Sequence, residues 1–226
     1  MFSSNIGWLI PAALTVVSLG SNIQSATAQI SYNTYTFSNN YNTTVTIDPT
    51  FRPDLGIVRA TITGKSVEPA PYGLDFFTSN TYGKLQPSEN PSITKYAFNS
   101  DANVFGLEGQ QVFSDRYYGG ANELFGKASD SAEINFAEGT IKGGGNITIF
   151  GGTGLFENVT GTISFTQQDK LGPPGVPSQG LATLNFSLQT PQQVPEPSAT
   201  LSLIIMGITG VGSLISRHSS KNTLGS

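Results

Sequence analysis

The feature that most constrains the fold is an alternation of apolar and polar side chains with a period of two residues. Its clearest example comprises Ala182, Leu184, Phe186 and Leu188, set against Thr183, Asn185 and Ser187. Successive side chains of a β-strand point to opposite faces, so such a segment has one apolar and one hydrated face. The same pattern occurs at 58–63, 131–136, 146–149 and 162–166.

The central segment as a whole predicts an all-β domain. Between residues 29 and 194, no ten-residue stretch places its apolar residues at helical spacing. Strand centres follow one another at intervals of roughly 10 to 15 residues, which suits antiparallel hairpins and leaves no room for crossover helices. Residues 29–190 are therefore expected to form an antiparallel β-barrel or, failing that, a β-sandwich, around one core.

Local features are expected along this domain. Residues 30–32 and 35–37 alternate in opposite phases, which predicts a β-bulge near Asn33 and Thr34. Turn-forming residues separate the strands, and they predict turns at 39–40, 54–56, 138–139, 151–154 and 158–161.

The stretch from Leu74 to Tyr118 is less regular. Its prolines and clustered aromatic residues predict long loops with short strands at 96–98 and 110–113. Further along, a second proline cluster predicts a loop over 169–179.

Composition excludes several classes of function. The 226-residue chain is only 12% charged and has a net charge of −4, so it lacks the clustered Lys and Arg that nucleic-acid binding needs. Cysteine is absent, and the one histidine, His218, lies beyond the central segment. The segment therefore cannot form Ser-His-Asp or Cys-His nucleophilic sites, His-based zinc sites or c-type haem. We expect no cofactor, metal or catalytic residue, and an enzyme here would have to use carboxylates, Tyr, Lys or Arg.

The amino-terminal residues have the pattern of a secretory signal. Residues 6–19 are uncharged and mostly apolar, but they are fewer than the ~20 residues of a permanent membrane span. Ala26 and Ala28 follow with the Ala-x-Ala spacing that signal peptidase recognises. Residues 1–28 are therefore expected to be a signal helix, removed by cleavage between Ala28 and Gln29.

The carboxyl-terminal residues predict a membrane anchor. A proline-rich linker, 191–198, stops the sheet from continuing. Residues 199–216 follow as a largely apolar segment, just long enough to span a bilayer as a helix. Arg217 and His218 open a basic and polar tail, 217–226, that is expected to stay cytoplasmic. The linker contains a short motif formed by Val194, Pro195, Glu196 and Pro197.

Motif, apolar segment and basic tail, in this order, resemble the PEP-CTERM sorting signal of Gram-negative bacteria and cyanobacteria. The resemblance implies transient anchoring in the inner membrane and cleavage near Pro-Glu-Pro by a membrane-embedded exosortase. Release to the cell surface or the exopolysaccharide matrix would follow. The arginine pair usual in that family is replaced here by Arg217-His218.

A second resemblance lies in the last third of the central segment. A glycine-rich run there resembles the signature of dirigent and allene oxide cyclase proteins, over about residues 122–188. The matching residues are Gly151, Gly152, Thr153, Gly154, Phe156, Gly161 and Phe165. The resemblance implies an eight-stranded antiparallel β-barrel, in which glycines allow a sharp turn, Phe156 anchors it in the core and Gly161 permits a corner. The catalytic acids of that family lie outside the motif and are not carried over.

Two further motifs are interpreted as structural. The glycine runs 143–145 and 151–154 lack the Gly-Lys-Ser/Thr ending of a phosphate loop, so they are expected to be strand bends or hairpins. Residues 99–103 offer oxygen ligands at alternate positions, but Val104 and Gln110 stand where a calcium loop has Gly and Glu. A solvated Asx-type turn is expected instead.

Carboxylates and aromatic residues remain as candidate site residues. Paired acids for glycoside hydrolysis could be drawn from Asp48, Asp54, Glu68, Asp75, Glu108 and Asp115, although surface positions are expected for them. Aromatic residues concentrate between Phe51 and Phe125, where most are expected in the core. Some could line the mouth of a barrel and contact sugar rings or an apolar ligand.

These observations favour a non-catalytic, exported protein of the cell surface or extracellular matrix, associated with exopolysaccharide through Thr-, Asn- and Ser-rich strands. Signal peptidase and an exosortase-type protease are expected as further partners. One alternative is a small-ligand β-barrel isomerase or cyclase of dirigent type, acting through a buried Glu or Tyr. Another is a permanently anchored periplasmic binding module. An open apolar cavity with convergent polar groups and a carboxyl of shifted pKa would favour the enzyme, and a filled interior would exclude it.

We predict that the mature protein has lost both terminal segments. Intact-mass spectrometry of the protein from its native source should give a chain that begins at Gln29 and ends close to Pro195–Pro197. A chain that retains residues 1–28 would contradict export. A chain that has lost residues 1–28 but still carries 199–226 would identify the permanently anchored module.

Overall fold

In a computed structural model of the chain, residues 31–192 are described. They form nine β-strands joined by turns and short 3-10 helices, which confirms the all-β class. The strands are β1 (Ser31–Arg52), β2 (Ile57–Ser66), β3 (Phe76–Gln86), β4 (Ile93–Asn99), β5 (Asp115–Tyr118), β6 (Glu123–Asn135), β7 (Thr140–Thr153), β8 (Thr160–Lys170) and β9 (Ser178–Gln192).

Both predicted terminal segments lie outside the described residues, together with the Pro-Glu-Pro motif and the signal cleavage position. Within 31–192, no helix has the length and apolar character needed to cross a membrane.

All strand pairings among the described residues are antiparallel, and they form a closed circuit. The order runs β2-β1-β9-β8-β7-β6-β4-β3, and β3 pairs with β2 again. The short strands β4 and β5 occupy one position between β3 and β6, because each of them pairs with both of those strands. The circuit therefore has eight positions, one of which is filled by two short strands in succession.

Strand β1 is strongly staggered against its two neighbours. Residues 31–45 of β1 pair with β9, whereas residues 41–52 pair with β2. Only the middle of this 22-residue strand is paired on both sides. Such a shift in register is required when a twisted sheet closes on itself.

The period-two pattern places the core on one side of each strand. Ala182, Leu184, Phe186 and Leu188 are buried, as predicted, while Asn185 and Ser187 between them are exposed. Val58, Ala60, Ile147, Ile149 and Ile163 also face the core, as expected from their alternation. Near the end of the circuit where β5 and β7 finish, the core is filled by Leu74, Leu124, Phe156, Val159 and Leu188. We call this the closed end.

Two expectations for β1 are wrong. The pairing of β1 with β9 runs from Ser31 to Val45 without a register shift, so there is no bulge near Asn33 and Thr34. Tyr32 is 52% exposed on the outer face, which removes the conflict of phase that suggested a bulge. The expected turn at 39–40 is also wrong, since both asparagines lie within the strand and pair with β9.

The middle of the domain is more regular than expected. Residues 76–86 form a full strand, β3, that the clustered aromatic residues concealed. The expected strand at 96–98 lies within β4, but residues 110–113 are not a strand. Phe136, expected on the apolar face of β6, follows the end of that strand and is 58% exposed.

Residues 100–114 form a loop that covers the outside of the circuit. Its side chains Ala102 and Leu107 are buried in a small separate cluster with Ile57 and Tyr82. The hydroxyl of Tyr82 donates a hydrogen bond to the Gln111 carbonyl at 2.9 Å, which fixes the loop to β3. This apolar cover explains why β2 and β3 have buried residues on their outer faces as well.

The glycine-rich motif lies at the closed end. Gly154 has φ +64°, and a Cβ there would lie 2.7 Å from the Ala121 carbonyl oxygen, so only glycine fits. The chain then turns through Gly154–Phe156, and Phe156 is fully buried against Tyr35 and Tyr72. Gly161 has φ +150° and Phe165 is partly buried on the inner face of β8.

Candidate functional site

A cavity lies inside the circuit of strands, away from the closed end. Its volume is about 70 Å³, which exceeds the space of a single water molecule several times. Most of its lining is apolar, and five aromatic rings contribute to it: Phe77, Tyr96, Phe98, Tyr117 and Phe165. Tyr96 and Phe165 are only partly buried, so the cavity reaches solvent on this side.

Three carboxyl groups interrupt the apolar lining. Asp115 is the first residue of β5, Asp130 lies in β6 and Asp169 in β8. Each is held on the inner face by the strand alternation, with Ala128 and Ala132 flanking Asp130 and Gln167 preceding Asp169. Strands from three separate parts of the sequence therefore direct acids into one space.

Asp115 is buried without hydrogen bonds to its carboxyl group. Its side chain is 1% exposed, and neither Oδ1 nor Oδ2 has a hydrogen-bond partner within the protein. The neighbouring Ser79 hydroxyl does not reach hydrogen-bonding geometry with either oxygen. Leaving such a group unpaired costs stability, typically ~1–3 kcal/mol. A buried polar group of this kind indicates a role other than folding.

Burial raises the pKa of Asp115 from 3.8 to about 7, against a lowering effect of Ser79 and with a lesser increase from the Asp130 charge. Burial also raises the pKa of Asp130 to about 7, although Asp130 is only partly buried by surface area. Asp130 lies four residues along β6 from Gly126, the cross-strand partner of Asp115. Both carboxyls of this pair titrate near neutral pH, where each is partly protonated, so the cavity offers acidic and basic groups at the same pH.

Asp169 differs from this pair because its oxygens are engaged. Thr43 donates a hydrogen bond to Oδ1 at 2.6 Å, and the Gln167 amide donates to Oδ2 at 2.7 Å. Burial nevertheless raises its pKa, against the lowering effect of these two hydrogen bonds. Asp169 is therefore a fixed part of the cavity wall.

Two tyrosines border the acidic pair from the closed end. Burial raises the pKa of Tyr41 to about 12 and that of Tyr117 well above its ordinary value of 10, so both stay neutral. The Tyr41 hydroxyl donates to the Leu74 carbonyl at 2.8 Å. The nearby charges of Asp115 and Asp130 add to the rise in the Tyr117 pKa. Both rings are fully buried, so the core next to the carboxyls is apolar.

Glycines stand opposite the acids on the neighbouring strands. Asp115 pairs with Gly126, Asp130 with Gly145 and Asp169 with Gly180. A Cβ at Gly145 would lie 2.3 Å from the Cβ of Asp130, and one at Gly180 would lie 2.7 Å from Oδ1 of Asp169. The glycines at these two positions thus provide the room in which the carboxyls sit.

The sequence identified one of the three acids. Asp115 was among the candidate carboxylates, and it lies in the cavity. The other five candidates do not meet there: Asp48 and Asp54 are exposed on the surface with Thr50 and Arg52, Asp75 bonds to Ser66 and Ala70, and Glu68 and Glu108 are exposed.

Asp130 and Asp169 were missed, although a signal for both was present. Each occupies an inward position in its strand's alternation, Asp130 after Ala128 and Asp169 after Phe165 and Gln167. An acid in an apolar register indicates a buried carboxyl. Their placement beside Asp115 depends on the order of strands in the circuit, which alternation does not encode.

The motifs interpreted as structural have structural roles. Asp101 Oδ1 accepts a hydrogen bond from the Asn103 backbone N–H at 2.9 Å, as in an Asx turn. The glycine run 143–145 lies inside β7. Within 31–192, no group of three or more His, Cys, Asp or Glu side chains is arranged to hold a metal ion.

The outer face of four strands presents an array of uncharged polar side chains, which we call the outer array. It spans β1, β9, β8 and β7 in three cross-strand rows. The rows are Thr36-Ser187-Thr162-Thr148, Ser38-Asn185-Ser164-Asn146 and Asn40-Thr183-Thr166-Gly144. At ~4.8 Å between strands and ~7 Å between rows, the array measures about 14 Å by 14 Å.

Searches against known protein families, curated proteins and solved structures found no match to this chain.

We predict that Asp115→Asn flattens the dependence of stability on pH. Because the native pKa of Asp115 lies above its ordinary value of 3.8, the native protein keeps a proton that the unfolded chain releases. Its contribution to stability is present below about pH 4 and is lost as the pH rises through about 7. Replacing the acid should remove a fall of ~2–4 kcal/mol in the free energy of unfolding between about pH 4 and 8.

Urea denaturation at a series of pH values measures this effect. Glu133→Gln, on the outer face of β6, is the matched control and should follow the unmodified protein. An Asp115→Asn profile parallel to that of the unmodified protein over this range would show that the acid is not titrating with a raised pKa.

Proposed function

We propose that residues 31–192 form a closed eight-stranded β-barrel that binds a small, mainly apolar molecule and transfers a proton to or from it, as an isomerase or cyclase would. One observation carries the proposal: Asp115 is buried in an apolar cavity with neither carboxyl oxygen hydrogen-bonded. The non-catalytic matrix protein favoured by the sequence is retained below as a second candidate.

The pairing circuit supports a barrel rather than a sandwich. A sandwich leaves edge strands in each of its two sheets, whereas every one of the eight positions here is paired on both sides. The stagger of β1 against β9 and β2 is the shear that closure requires. An eight-stranded barrel is also what the resemblance of the glycine motif to dirigent and allene oxide cyclase proteins implies.

The acid-base part of the proposal follows from the pair of carboxyls. When the pair holds one proton, the ionised carboxyl can remove a proton from a bound molecule and the protonated one can donate to it. The apolar lining strengthens both interactions by excluding water. The sequence analysis expected a buried Glu or Tyr to act as the acid or base of such an enzyme. In this proposal the acting residues are Asp115 and Asp130 instead, because the buried tyrosines stay protonated.

We predict that the cavity accelerates a generic proton abstraction, the ring opening of 1,2-benzisoxazole to 2-cyanophenolate. In this reaction a carboxylate takes the proton from C3, and those electrons form the nitrile while the N–O bond breaks. The rate should rise with pH around 7, as the pair ionises. Asp115→Asn should lower kcat/KM at least about tenfold, within the usual range for loss of a general base. Absorbance of the phenolate measures it.

Three variants complete this experiment. Asp130→Asn should shift the pH profile and reduce the rate, since the pair acts together. Ala132→Phe, which places a ring in the cavity, should abolish the acceleration while the protein stays folded by circular dichroism. Glu133→Gln should keep the unmodified rate. If both aspartate variants turn over the substrate as fast as the unmodified protein, the catalytic proposal is wrong.

The outer array favours a second candidate function, association with a neutral polysaccharide. It is uncharged and rich in hydroxyl and amide groups, which are the groups that hydrogen-bond to sugar hydroxyls. Its size, about 14 Å by 14 Å, matches a short run of sugar residues. Export to the cell surface, through signal peptidase and an exosortase-type protease, belongs to this proposal and is supported by the terminal sequences alone.

We predict that the protein co-sediments with insoluble cellulose and that Ser164→Glu weakens this binding about tenfold, or ~1.4 kcal/mol. Ser164 lies at the centre of the outer array, where a carboxylate would lose its hydration against a neutral chain. Thr63→Glu, an exposed position on β2 outside the array, is the control. Equal binding of both variants would show that the outer array is not the contact surface.

A further inference from the structure

The interior of the circuit carries acids and no bases. Among the residues that line the cavity, the charged ones are the three aspartates, and neither Lys nor Arg is present. Bases adjacent to this lining occupy outer positions of the strands, and two of them have acidic partners there. Arg116, next to Asp115, bonds to Glu123, and Lys95, next to Tyr96, contacts Glu133 at 2.9 Å. Strand alternation therefore separates the two signs of charge across the wall.

The unpaired oxygens of Asp115 define the kind of group that would bind there. An ionised carboxylate has only acceptor sites, so it can be satisfied only by a donor. Ser79 lowers the pKa of Asp115 but leaves both carboxyl oxygens without a hydrogen-bond partner, and Asp130 brings a like charge. A donor that also carries positive charge would satisfy the hydrogen bonds and offset the repulsion between the two carboxyls.

The rest of the lining fits an organic cation. Five aromatic rings line the same cavity as the carboxyls, and aromatic faces attract ammonium groups that lie within about 6 Å. The aliphatic residues between them fit the apolar part of the same molecule. An anion would meet three carboxyls without a compensating base.

A metal ion fits less well than an organic cation. Hard metal ions take six or more oxygen ligands, and within 31–192 no three acidic side chains converge as such a site requires. Asp169 is already occupied by Thr43 and Gln167. Asp115, with both oxygens unpaired in an apolar surround, therefore remains as the group that suits one ammonium ion.

We propose that the cavity selects small apolar molecules that carry a protonated amine, with the ammonium group bound at Asp115, the charge of Asp130 in the same cavity adding to the attraction, and the apolar part against the aromatic lining. This inference rests on the proposed ligand-binding barrel and names its ligand class. The amine enters first, because Asp115 is fully buried whereas the rings of Tyr96 and Phe165 are partly exposed.

Binding should strengthen as the pH rises from about 5 to 8, because ionisation of the carboxyl pair creates the attraction while the amine stays protonated. Five other titratable groups face the cavity or lie next to it. They are Asp130 on β6, Asp169 on β8, Tyr96 on β4, Tyr41 on β1 and Tyr117 on β5, the strand of Asp115 itself. The lining residues of β2, β3, β7 and β9 include no titratable side chain.

A matched series of fluorinated probes tests the inference. 4-Fluorobenzylamine, 4-fluorobenzyl alcohol and 4-fluorobenzoate have nearly the same shape and differ in the charge of one group. Titration of the full chain followed by fluorine NMR should give a Kd for the amine at least about tenfold below that of the alcohol at pH 8, and no saturable binding of benzoate. At pH 5 the preference for the amine should shrink several-fold.

Variants assign the preference to the carboxyls. Asp115→Asn and Asp130→Asn should each reduce the preference for the amine while the alcohol still binds, which shows that the cavity is intact. Glu133→Gln, on the outer face of the same strand as Asp130, should keep the full preference. Ala132→Phe should abolish binding of both probes.

The outcomes separate the two proposals. If the alcohol binds in the cavity but the amine binds no more tightly, or if benzoate binds equally well, selection for amines is wrong and the binding barrel stands. If Ala132→Phe has no effect on any probe, or if no probe binds, the ligand-binding barrel is wrong and this inference falls with it.

Discussion

Closure of the strand circuit is the constraint on which the rest of the structure depends. Once β2 pairs with both β1 and β3, each strand has an inner and an outer face, and every second side chain must enter a confined space. Large apolar residues fill that space at the closed end, where Leu124, Phe156 and Leu188 are fully buried. Towards the other end, alanines, a glycine and three acids stand among the aromatic and aliphatic inward residues, and a cavity remains.

The carboxyls in this cavity oppose folding. Burial of Asp115 without hydrogen bonds favours its protonated form and raises its pKa to about 7, so the folded chain gives up stability above that pH. The surrounding sheet compensates through continuous pairing and a well-filled closed end. A strained or unsatisfied group that is retained inside an otherwise consistent fold is characteristic of a functional site.

The sequence predicted the fold class and most inward positions, because alternation with a period of two is a local property of each strand. It failed where local signals conflicted. Tyr32 suggested a bulge because an aromatic residue was assumed to face inward, and Asn39-Asn40 suggested a turn although both lie in the long strand β1. The aromatic and proline content between 74 and 118 concealed β3.

The site was less predictable than the fold. Asp115 could be named as a candidate, but it opens a four-residue strand that no periodic pattern reveals. The alternation in β6 and β8 predicts inward positions for Asp130 and Asp169. Their place in the same cavity as Asp115 arises from pairings between distant parts of the chain. The glycines opposite them, Gly145 and Gly180, make sense only when cross-strand partners are known.

The division of one position between β4 and β5 gives the strand circuit a point of adjustment. Asp115 directly follows the loop 100–114, which is tied to the wall through hydrogen bonds between Ser100 and Ala128. Changes in the length or packing of that loop could move the first residue of β5 without disturbing the seven uninterrupted strands. Remodelling of this one external segment would therefore alter the cavity next to Asp115, while the strands that position the other two acids are preserved.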